Sequence, residues 1–143
     1  MSGRILSAHA VEIVPPDAYR ETEWHEARRS GIGASEIAAV LGISPWVSAF
    51  DLWWSKRSGV DSQPPNRAMS RGRRYEALIL DDFAAGHPEF VLGSAGLCRN
   101  VDRPWQICTP DALAHESEAV SPDTDLEPVA VVEAKSGARR DQW

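Results

Sequence analysis

The spacing of apolar residues changes from helical to strand-like partway along the chain. Up to residue 86 the apolar positions recur at helical intervals and predict four helices, over residues 17–29, 36–41, 47–57 and 67–85. Beyond that point they form short runs between turn residues, which are typical of strands. Helices followed by strands predict an α+β fold in which helices pack on a small mixed sheet.

Four strands are predicted in the second part of the chain. Residues 90–92 form a short apolar run, and the runs 97–101 and 105–109 are spaced as the two arms of a hairpin. Residues 116–128 are acidic and carry two prolines, so we expect a loop there. The strongest strand pattern covers residues 129–136.

Capping residues set the expected helix boundaries. Ser35 is the expected N-cap of the second helix, and Gly42 is well placed to end that helix. Ser48 is an alternative cap for the third helix, and Asn66 is the expected cap of the longest one.

Length and composition indicate one globular domain. The 143 residues suffice for a single core, so we expect an N-terminal arm over residues 1–16 and one domain over residues 17–143. The chain is 43% apolar and 25% charged, and it has neither a membrane-length apolar run nor a secretory signal pattern. Cys98 and Cys108 are too few for a disulfide framework and are expected to lie close together as small buried hydrophobes, so a reduced cytosolic protein is indicated.

The charge of the chain is unevenly distributed. A net charge of −6 argues against a general nucleic-acid coat protein. Between residues 56 and 74, however, six basic side chains face Asp61 as the only acid, while the last third of the chain is acidic. A basic strip beside an acidic end can bind a polyanion and also hold a cation.

Glu76 interrupts the apolar face of the longest predicted helix. A carboxylate in the middle of an apolar stripe is costly unless it is paired. Glu76 either forms a salt bridge with Arg73 and turns its head to solvent, or it is a site residue. The residues expected on its face are Met69, Gly72, Ile79, Leu80 and Phe83, and those expected on the solvated back are Arg71, Arg74, Asp81 and Asp82.

An acid and a base share one face of the last predicted strand. Alternation puts Val129, Val131, Glu133 and Lys135 on the same side. Taken alone, Glu133 and Lys135 could form an ion pair on an edge strand or a charged edge that blocks aggregation.

Asp111 completes a set of residues suited to phosphate chemistry. It follows Pro110, which ends the pairing of the preceding predicted strand, although a lone Pro-Asp is ordinarily a turn. Together with Glu76 and Glu133 it supplies oxygen ligands for a hard divalent cation. Lys135 could orient and help deprotonate a water that attacks a scissile phosphate, while the metal stabilises the charge that develops there.

A glycine-containing loop precedes the second predicted helix. Glycines at 31 and 33 allow close backbone approach, and the helix N-terminus favours an anion. Ser35 adds a hydroxyl, and Arg28 and Arg29 arrive from the preceding helix. The loop is either a phosphate pocket or an ordinary helix cap.

Four motifs occur in the order of a known protein family. They are residues 24–36 followed by 41–46, Arg71-Gly72 with Glu76 four residues further on, Thr109-Pro110-Asp111-Ala112-Leu113, and Glu133-Ala134-Lys135. Residues 24–136 thereby resemble the YqaJ-type viral recombinases, the lambda-exonuclease-like branch of the PD-(D/E)XK nucleases, which have a restriction-endonuclease-like core.

This resemblance implies a Mg²⁺-dependent exonuclease, with Mn²⁺ as a substitute, that degrades linear duplex DNA from the 5′ end in phage recombination. Asp111, Glu133 and the backbone carbonyl of Ala134 would hold the metal. Lys135 would activate the water, and Glu76 would support a second ion or that water. The residues that would bind the 5′ phosphate are Arg28, Gly33 and Ser35.

The resemblance also implies partners and a location. Double-stranded DNA ends would be the substrate, a single-strand annealing protein the partner, a homo-oligomeric ring the assembly, and the cytoplasm of a bacterium carrying a phage or prophage the location, without a membrane. Two positions depart from the family pattern. Ala112 replaces a glycine, and the sequence stops at Trp143, before the last helix and strand expected of the core.

Two alternatives remain open at this stage. The chain could keep the nuclease fold as an inactive DNA-end-binding or assembly module. Residues 35–57 also resemble a helix-turn-helix DNA-binding protein, although Phe50, Trp53 and Trp54 are poor base readers.

Tryptophan placement follows from these patterns. Trp53 and Trp54 fit core packing, Trp105 fits a strand, and Trp46 fits a core as well. Trp24 is the one that we expect to stack on a DNA end.

Overall fold

A computed structural model describes residues 4–18, 22–60, 67–117 and 127–135. The predicted cap Asn66, the side chains of Met69 and Arg73, most of the acidic loop and the last residue of the predicted final strand, Ser136, lie outside the described part. The chain divides into two compact units: Met1–Pro64 with Ala95–Pro110, and Pro65–Ser94 with Asp111–Trp143.

The strands are β1 (Arg4–Ser7), β2 (Ala10–Val14), β3 (Phe90–Gly93), β4 (Leu97–Asn100), β5 (Ile107–Cys108), β6 (Ala112–Glu116) and β7 (Ala130–Val132). The helices are α1 (Thr22–Arg29), α2 (Ile37–Val40), α3 (Ala49–Ser58) and α4 (Arg67–Gly86), and short 3₁₀ turns cover Pro16–Ala18 and Ala34–Glu36.

The first unit contains a four-stranded antiparallel sheet in the order β1-β2-β4-β5. The β4–β5 hairpin confirms the pairing predicted from the sequence, and Cys98 lies opposite Cys108 in its register. Cys98 is buried as expected, but Cys108 is exposed, so its predicted burial was wrong. The expected N-terminal arm instead contributes β1 and β2 to the sheet. The run Ala-Val-Glu-Ile-Val at residues 10–14 carries a strand pattern that the sequence analysis missed, and Val14 is almost fully buried against the core.

Trp24 anchors the core of this unit. It packs with Val14, Leu97 and Ile107, and only 5% of it is exposed. The prediction that Trp24 is the one tryptophan outside the core was therefore wrong. Trp46, Trp53, Trp54 and Trp105, which were expected in the core, are each more than half exposed.

Local capping explains where the helices of the first unit begin and end. Ser48 caps α3, because its hydroxyl accepts the Asp51 N–H at 3.1 Å, and the alternative cap predicted from the sequence is thus confirmed. Gly42 and Gly59 have positive φ angles of 70° and 74° and follow α2 and α3. Ser35, by contrast, lies inside a 3₁₀ turn that Gly33 caps, so its predicted capping role was wrong.

The second unit combines α4 with a three-stranded antiparallel sheet in the order β3-β6-β7. The buried residues Ala112, Leu113 and Ala114 make β6 the centre of this sheet, and α4 contacts β3. The sequence analysis missed β6, because the alternation of its small and polar residues is weak. The predicted final strand is also shorter than expected, since pairing ends at Val132.

The α+β fold class is confirmed and is consistent with a restriction-endonuclease-like core. The strands pair antiparallel in two small sheets rather than in one mixed sheet, and a parallel bridge joins Ile32 to Gln106. In the part of the chain that the structure describes, no helix is both long and apolar enough to cross a membrane.

Candidate functional site

Asp111 and Glu133 occupy facing ends of two paired strands in the second unit. Ala112, the first residue of β6, pairs with Val132, the last residue of β7. Continuing this antiparallel register by one residue sets Asp111 opposite Glu133, and directly opposed residues project from the same face. Oδ2 of Asp111 also accepts the backbone N–H of Ala134 at 2.6 Å, so the two strand ends are joined beyond the ladder.

Lys135 contributes a positive charge to the same strand end. Its ammonium group forms an ion pair with Glu133, and 80% of the lysine side chain and 50% of the glutamate side chain are exposed. The hydrogen bond to Glu133 raises the pKa of Lys135 above its ordinary value, and the charges of Asp111 and Glu76 raise it further. The three predicted acids and the lysine therefore share one electrostatic neighbourhood.

Glu76 lies on the half-buried face of α4, as predicted from the helical spacing. Its side chain is partly buried in the middle of the helix. The negative charge of Glu76 makes a small contribution to the raised pKa of Lys135. The half-buried residues on its face are Gly72, Ile79, Leu80 and Phe83, and the exposed residues on the back are Arg71, Arg74, Asp81 and Asp82.

The carboxylate oxygens of Asp111 and Glu133 are suited to a hard cation that needs few protein ligands. Within residues 4–18, 22–60, 67–117 and 127–135, no three His, Cys, Asp or Glu side chains form a group that could hold a metal ion. Mg²⁺, however, is commonly held by one or two carboxylates and keeps several waters. Asp111 uses Oδ2 for the Ala134 N–H, while Oδ1 has no hydrogen bond to a described residue. A carboxylate pair that faces one edge fits such an ion.

The loop that was predicted to bind a phosphate, in the first unit, binds a carboxylate of the protein itself, that of Glu36. Oε2 of Glu36 accepts the Gly33 N–H at 2.8 Å and lies 2.9 Å from Nζ of Lys56. Oε1 of Glu36 accepts from Nη2 of Arg28 at 3.2 Å. Arg28 and Gly33 are thus brought together as predicted, but the carboxylate of Glu36 already uses the Gly33 N–H. We call Arg28, Glu36 and Lys56 the Glu36 cluster.

Sequence reasoning missed Glu36 and Lys56 as members of this site. In the sequence, Glu36 is recognisable only as the last residue of the motif at residues 24–36, and Lys56 only as the first residue of the basic strip. The signal was a glutamate three residues after Gly33, which is the spacing of a capping box. Ser35 is exposed, and its hydroxyl has no hydrogen bond to a described residue.

Burial and pairing oppose each other within the Glu36 cluster. Glu36 and Lys56 are 14% and 15% exposed. Burial raises the pKa of Glu36, but the Gly33 N–H, Lys56 and Arg28 together bring it below its ordinary value. Burial lowers the pKa of Lys56, against the opposing effect of Glu36. The carboxylate therefore stays ionised and keeps a half-buried ammonium group charged.

A pocket of about 90 Å³ opens beside the Glu36 cluster. The helix that follows the loop, α2, has four residues, which is too short for the strong N-terminal dipole expected from the sequence. Attraction for an anion in this pocket therefore comes from side-chain cations. The lining residues are His25, Arg28, Arg29, Glu36, Ser55, Lys56 and Gly59.

The segment that resembles a helix-turn-helix has an apolar exposed surface. In α3, Phe50, Trp53 and Trp54 are 66%, 56% and 53% exposed. None of these side chains carries the bidentate hydrogen-bonding groups that read base edges. Together with the single turn of α2, this surface gives the helix-turn-helix alternative no support.

Comparison with known proteins relates the chain to a protein family and to a bacterial protein. Residues 23–141 match the YqaJ-like viral recombinase domain family. The chain is also similar to the Bacillus subtilis (strain 168) protein named "Uncharacterized protein YqaJ", with 34% identity over 99 residues. The matched segment makes up 68% of this chain and 31% of the relative, so the chain spans about a third of that protein's length.

Proposed function

Because the chain belongs to the YqaJ-like viral recombinase domain family, we propose that it is a Mg²⁺-dependent exonuclease that degrades linear duplex DNA from the 5′ end. The family is one of phage-type recombination nucleases. The observation that carries the proposal is the pairing of Ala112 with Val132, which sets Asp111 opposite Glu133 beside Lys135.

The proposed chemistry divides the work among four side chains. Asp111 and Glu133, with the carbonyl of Ala134, are the proposed ligands of Mg²⁺, and Mn²⁺ is expected to replace it. An ion held there would supply Lewis-acid stabilisation of the scissile phosphate and would lower the pKa of a bound water. Glu76 is the proposed hydrogen-bond acceptor for the attacking water or the support for a second ion.

Lys135 acts as a cationic donor in this proposal. Its raised pKa keeps it an ammonium group at neutral pH, so its N–H groups can orient the attacking water and offset charge on the phosphate oxygens. Its flexible exposed side chain can leave Glu133 when a substrate phosphate arrives, since an exposed ion pair is weak.

Arg28 is the main proposed ligand of the DNA 5′ phosphate. Ser35 is exposed and its hydroxyl has no hydrogen bond within the described part of the chain, so it is a second proposed contact. Gly33 contributes through the shape of the loop, because its N–H already binds Glu36. Ring assembly, an annealing partner and a bacterial cytoplasmic location belong to the same proposal.

Release of acid-soluble nucleotides from 5′-phosphorylated linear duplex DNA tests the nuclease activity. The purified chain is expected to release nucleotides in Mg²⁺ and in Mn²⁺, and to release none in EDTA. Closed circular duplex of the same sequence, which has no ends, is the matched control substrate and should stay intact.

An inactive DNA-end-binding module of the same fold is the competing proposal. Failure of the wild-type chain to release nucleotides at any protein concentration, in either metal, would favour that module. Binding of linear but not circular duplex in a mobility-shift assay would then identify it.

A further inference from the structure

Cys98 and Cys108 face each other across the β4–β5 hairpin of the first unit. They are directly opposed in the antiparallel register, so their side chains project from the same face of the sheet. The Asn100 N–H donates to the Gln106 carbonyl oxygen at 3.0 Å, so the two cysteines occupy the next hydrogen-bonded position of the ladder. The Cα atoms of such a pair lie about 5.5 Å apart, and disulfides most often join Cα atoms about 5.5–6 Å apart. The hairpin therefore holds the two side chains at the spacing of a disulfide.

The two thiols differ in their access to solvent. Cys98 is 2% exposed, and its thiol donates to the Gly96 carbonyl oxygen at 3.4 Å, whereas Cys108 is exposed. A reagent in solution therefore meets the sulfur of Cys108 first. Once that sulfur has reacted, the buried sulfur of Cys98 is the neighbouring nucleophile.

Charged side chains continue this face across the sheet. Cys98 is opposed to Glu12 on β2, and Glu12 is opposed to Arg4 on β1. Glu12 is 7% exposed, and its carboxylate accepts the Gly96 N–H at 2.7 Å. The hydrogen bond with Cys108, burial, and the negative charges of Cys108 and Glu12 raise the pKa of Cys98. Cys98 therefore stays protonated at neutral pH, which leaves Cys108 to act as the first nucleophile.

We propose that Cys98 and Cys108 form a reversible disulfide by exchange with a small disulfide such as glutathione disulfide. The thiolate of Cys108 attacks one sulfur of the small disulfide, whose sulfur–sulfur bond breaks and releases one small thiolate. The sulfur of Cys98 then attacks that of Cys108, and the second small thiol leaves. The protein loses two electrons and two protons in total, and the small disulfide gains them.

The first step prepares the second. When Cys108 is bonded to a small thiol, it no longer carries a thiolate charge or holds the hydrogen bond that raises the pKa of Cys98. Cys98 then loses its proton more easily, and the small thiolate released in the first step can accept it. The order of the two attacks is therefore fixed by the different surroundings of the two sulfurs.

β5 connects the cysteine pair to the loop that follows α1. The Ile32 N–H donates to the Trp105 carbonyl oxygen at 2.7 Å, and the Ile107 N–H donates to the Ile32 carbonyl oxygen at 3.2 Å. A Cβ added to Gly31 would lie 2.8 Å from the Trp105 carbonyl oxygen, so the loop and this chain segment are closely packed. A disulfide that fixes β5 to β4 therefore also restrains the loop at residues 31–33.

Incubation of the full chain with glutathione disulfide, in EDTA and without DNA, tests the bond. The chain has two cysteines. Mass spectrometry of the wild-type protein should show the loss of two hydrogen atoms and no bound glutathione, and peptide analysis should show the two cysteines joined. Dithiothreitol should restore both thiols. Unreacted thiols, a stable glutathione adduct on Cys108, or disulfide-linked dimers in place of the internal bond would overturn the proposal.

Single variants test the order of attack. Cys98→Ala should stop at a glutathione adduct on Cys108, because the second nucleophile is missing. Cys108→Ala is the matched variant and should acquire an adduct at least about tenfold more slowly, because the remaining sulfur is buried and protonated. Equal rates of adduct formation in the two variants would contradict the proposed order. The wild-type result does not depend on the folding of either variant.

Hydrogen exchange tests the restraint on the loop. The amide of Ile32 should exchange roughly tenfold more slowly in the oxidised chain than in the reduced one. A peptide from β6 is the control and should exchange equally in both forms, because β6 pairs with β3 and β7 rather than with the hairpin. Equal exchange of Ile32 in both forms would contradict the restraint.

The disulfide and the proposed nuclease activity can fail separately. None of these measurements uses DNA or a metal ion, so an inactive chain that forms the internal bond would still support the disulfide. A chain that degrades DNA but never joins its cysteines would contradict the disulfide alone.

Discussion

The backbone N–H of Ala134 donates a hydrogen bond to Oδ2 of Asp111, and the two atoms are 2.6 Å apart. This bond extends the β6–β7 pairing past Val132, the last paired residue of β7. Asp111 is therefore held at the strand end by its own carboxylate. Oδ2 of Asp111 stabilises this strand end, whereas Oδ1 has no hydrogen bond to a described residue and is the proposed metal ligand.

Substitutions at Asp111 should separate these two roles. Asp111→Asn keeps an oxygen that can accept the Ala134 N–H, so we expect stability within about 0.5 kcal/mol of wild type and a loss of nuclease activity of roughly 100-fold or more. Asp111→Ala also loses the acceptor and should unfold about 1 kcal/mol more easily. Urea unfolding and nucleotide release measure the two effects. Equal activity of wild type and Asp111→Asn would exclude Asp111 as a metal ligand.

Glu133→Gln and Lys135→Met should reduce activity without reducing stability. Exposed ion pairs contribute little to folding, so each variant should unfold within about 0.5 kcal/mol of wild type. Loss of a charged group at the reacting phosphate should lower the rate of nucleotide release by about 100-fold or more. Glu127→Gln, an exposed position outside the site, is the control and should retain full activity. A fully active Lys135→Met would rule out the donor role proposed for this lysine.

Glu36 should make folding sensitive to acid. Its folded-state pKa is below its ordinary value of 4.5, so its stabilising contribution is complete above that value and is lost as the pH falls through the lower folded-state pKa. At neutral pH, Glu36→Gln should be about 1–2 kcal/mol less stable than wild type, because Lys56 loses its partner in a half-buried site.

Urea unfolding from pH 7 down to pH 3 measures this effect, and the difference between wild type and Glu36→Gln should shrink toward the acid end. The control is Glu26→Gln, since the ion pair of Glu26 with Arg29 is longer, at 3.9 Å, and exposed. Its stability should follow wild type within about 0.5 kcal/mol. A difference between wild type and Glu36→Gln that does not change with pH would contradict the electrostatic role of Glu36.

Two glycine substitutions should have opposite effects on stability. Gly59 ends α3 with φ of 74°, a left-handed conformation that alanine adopts only with strain, and an added Cβ would also displace the flexible guanidinium of Arg29. Gly59→Ala should therefore cost about 1–2 kcal/mol. Gly72 lies inside α4, where an added Cβ meets nothing within 4 Å, so Gly72→Ala should gain about 0.5–1 kcal/mol. Thermal unfolding compares them, and stabilisation by Gly59→Ala would contradict the observed backbone conformation.

Local signals in the sequence predicted much of the fold. The half-buried face of α4 follows from helical spacing alone. The angular position of a residue around one helix decides whether that residue is buried, and this angle can be read from the sequence. Gly42 and Ser48 were predictable for a similar reason, since capping depends on residues within one turn.

Features that depend on distant residues were not predictable. Ala112–Glu116 has weak strand propensity and becomes a central strand because β3 and β7 pair with it on both sides. The ion pair between Glu36 and Lys56 joins the 3₁₀ turn Ala34–Glu36 to α3, which are far apart in the sequence. Trp24 looked like a surface residue on a polar helix, and its burial depends on strands contributed from both ends of the first unit.

The candidate metal site was more predictable than the phosphate site. Asp111 directly precedes the first paired residue of β6 and Glu133 directly follows the last paired residue of β7, so the register of two neighbouring strands places them opposite each other. The loop after α1 contains short polar residues that allow several hydrogen-bond arrangements. The contacts of Glu36 with the Gly33 N–H, Arg28 and Lys56 cannot be read from spacing.

The hairpin formed by β4 and β5 is inserted into the sequence of the second unit, between Ser94 and Asp111, although it pairs with β2 of the first. A fragment that starts at residue 65 would carry this hairpin without β2, and the apolar side chains of Leu97 and Ile107 would meet water. Neither unit can therefore be produced as an uninterrupted stretch of its own residues. A fragment made by truncation would expose unpaired strand edges and would be prone to aggregation. Isolating either unit would require a linker that joins its two stretches of sequence directly.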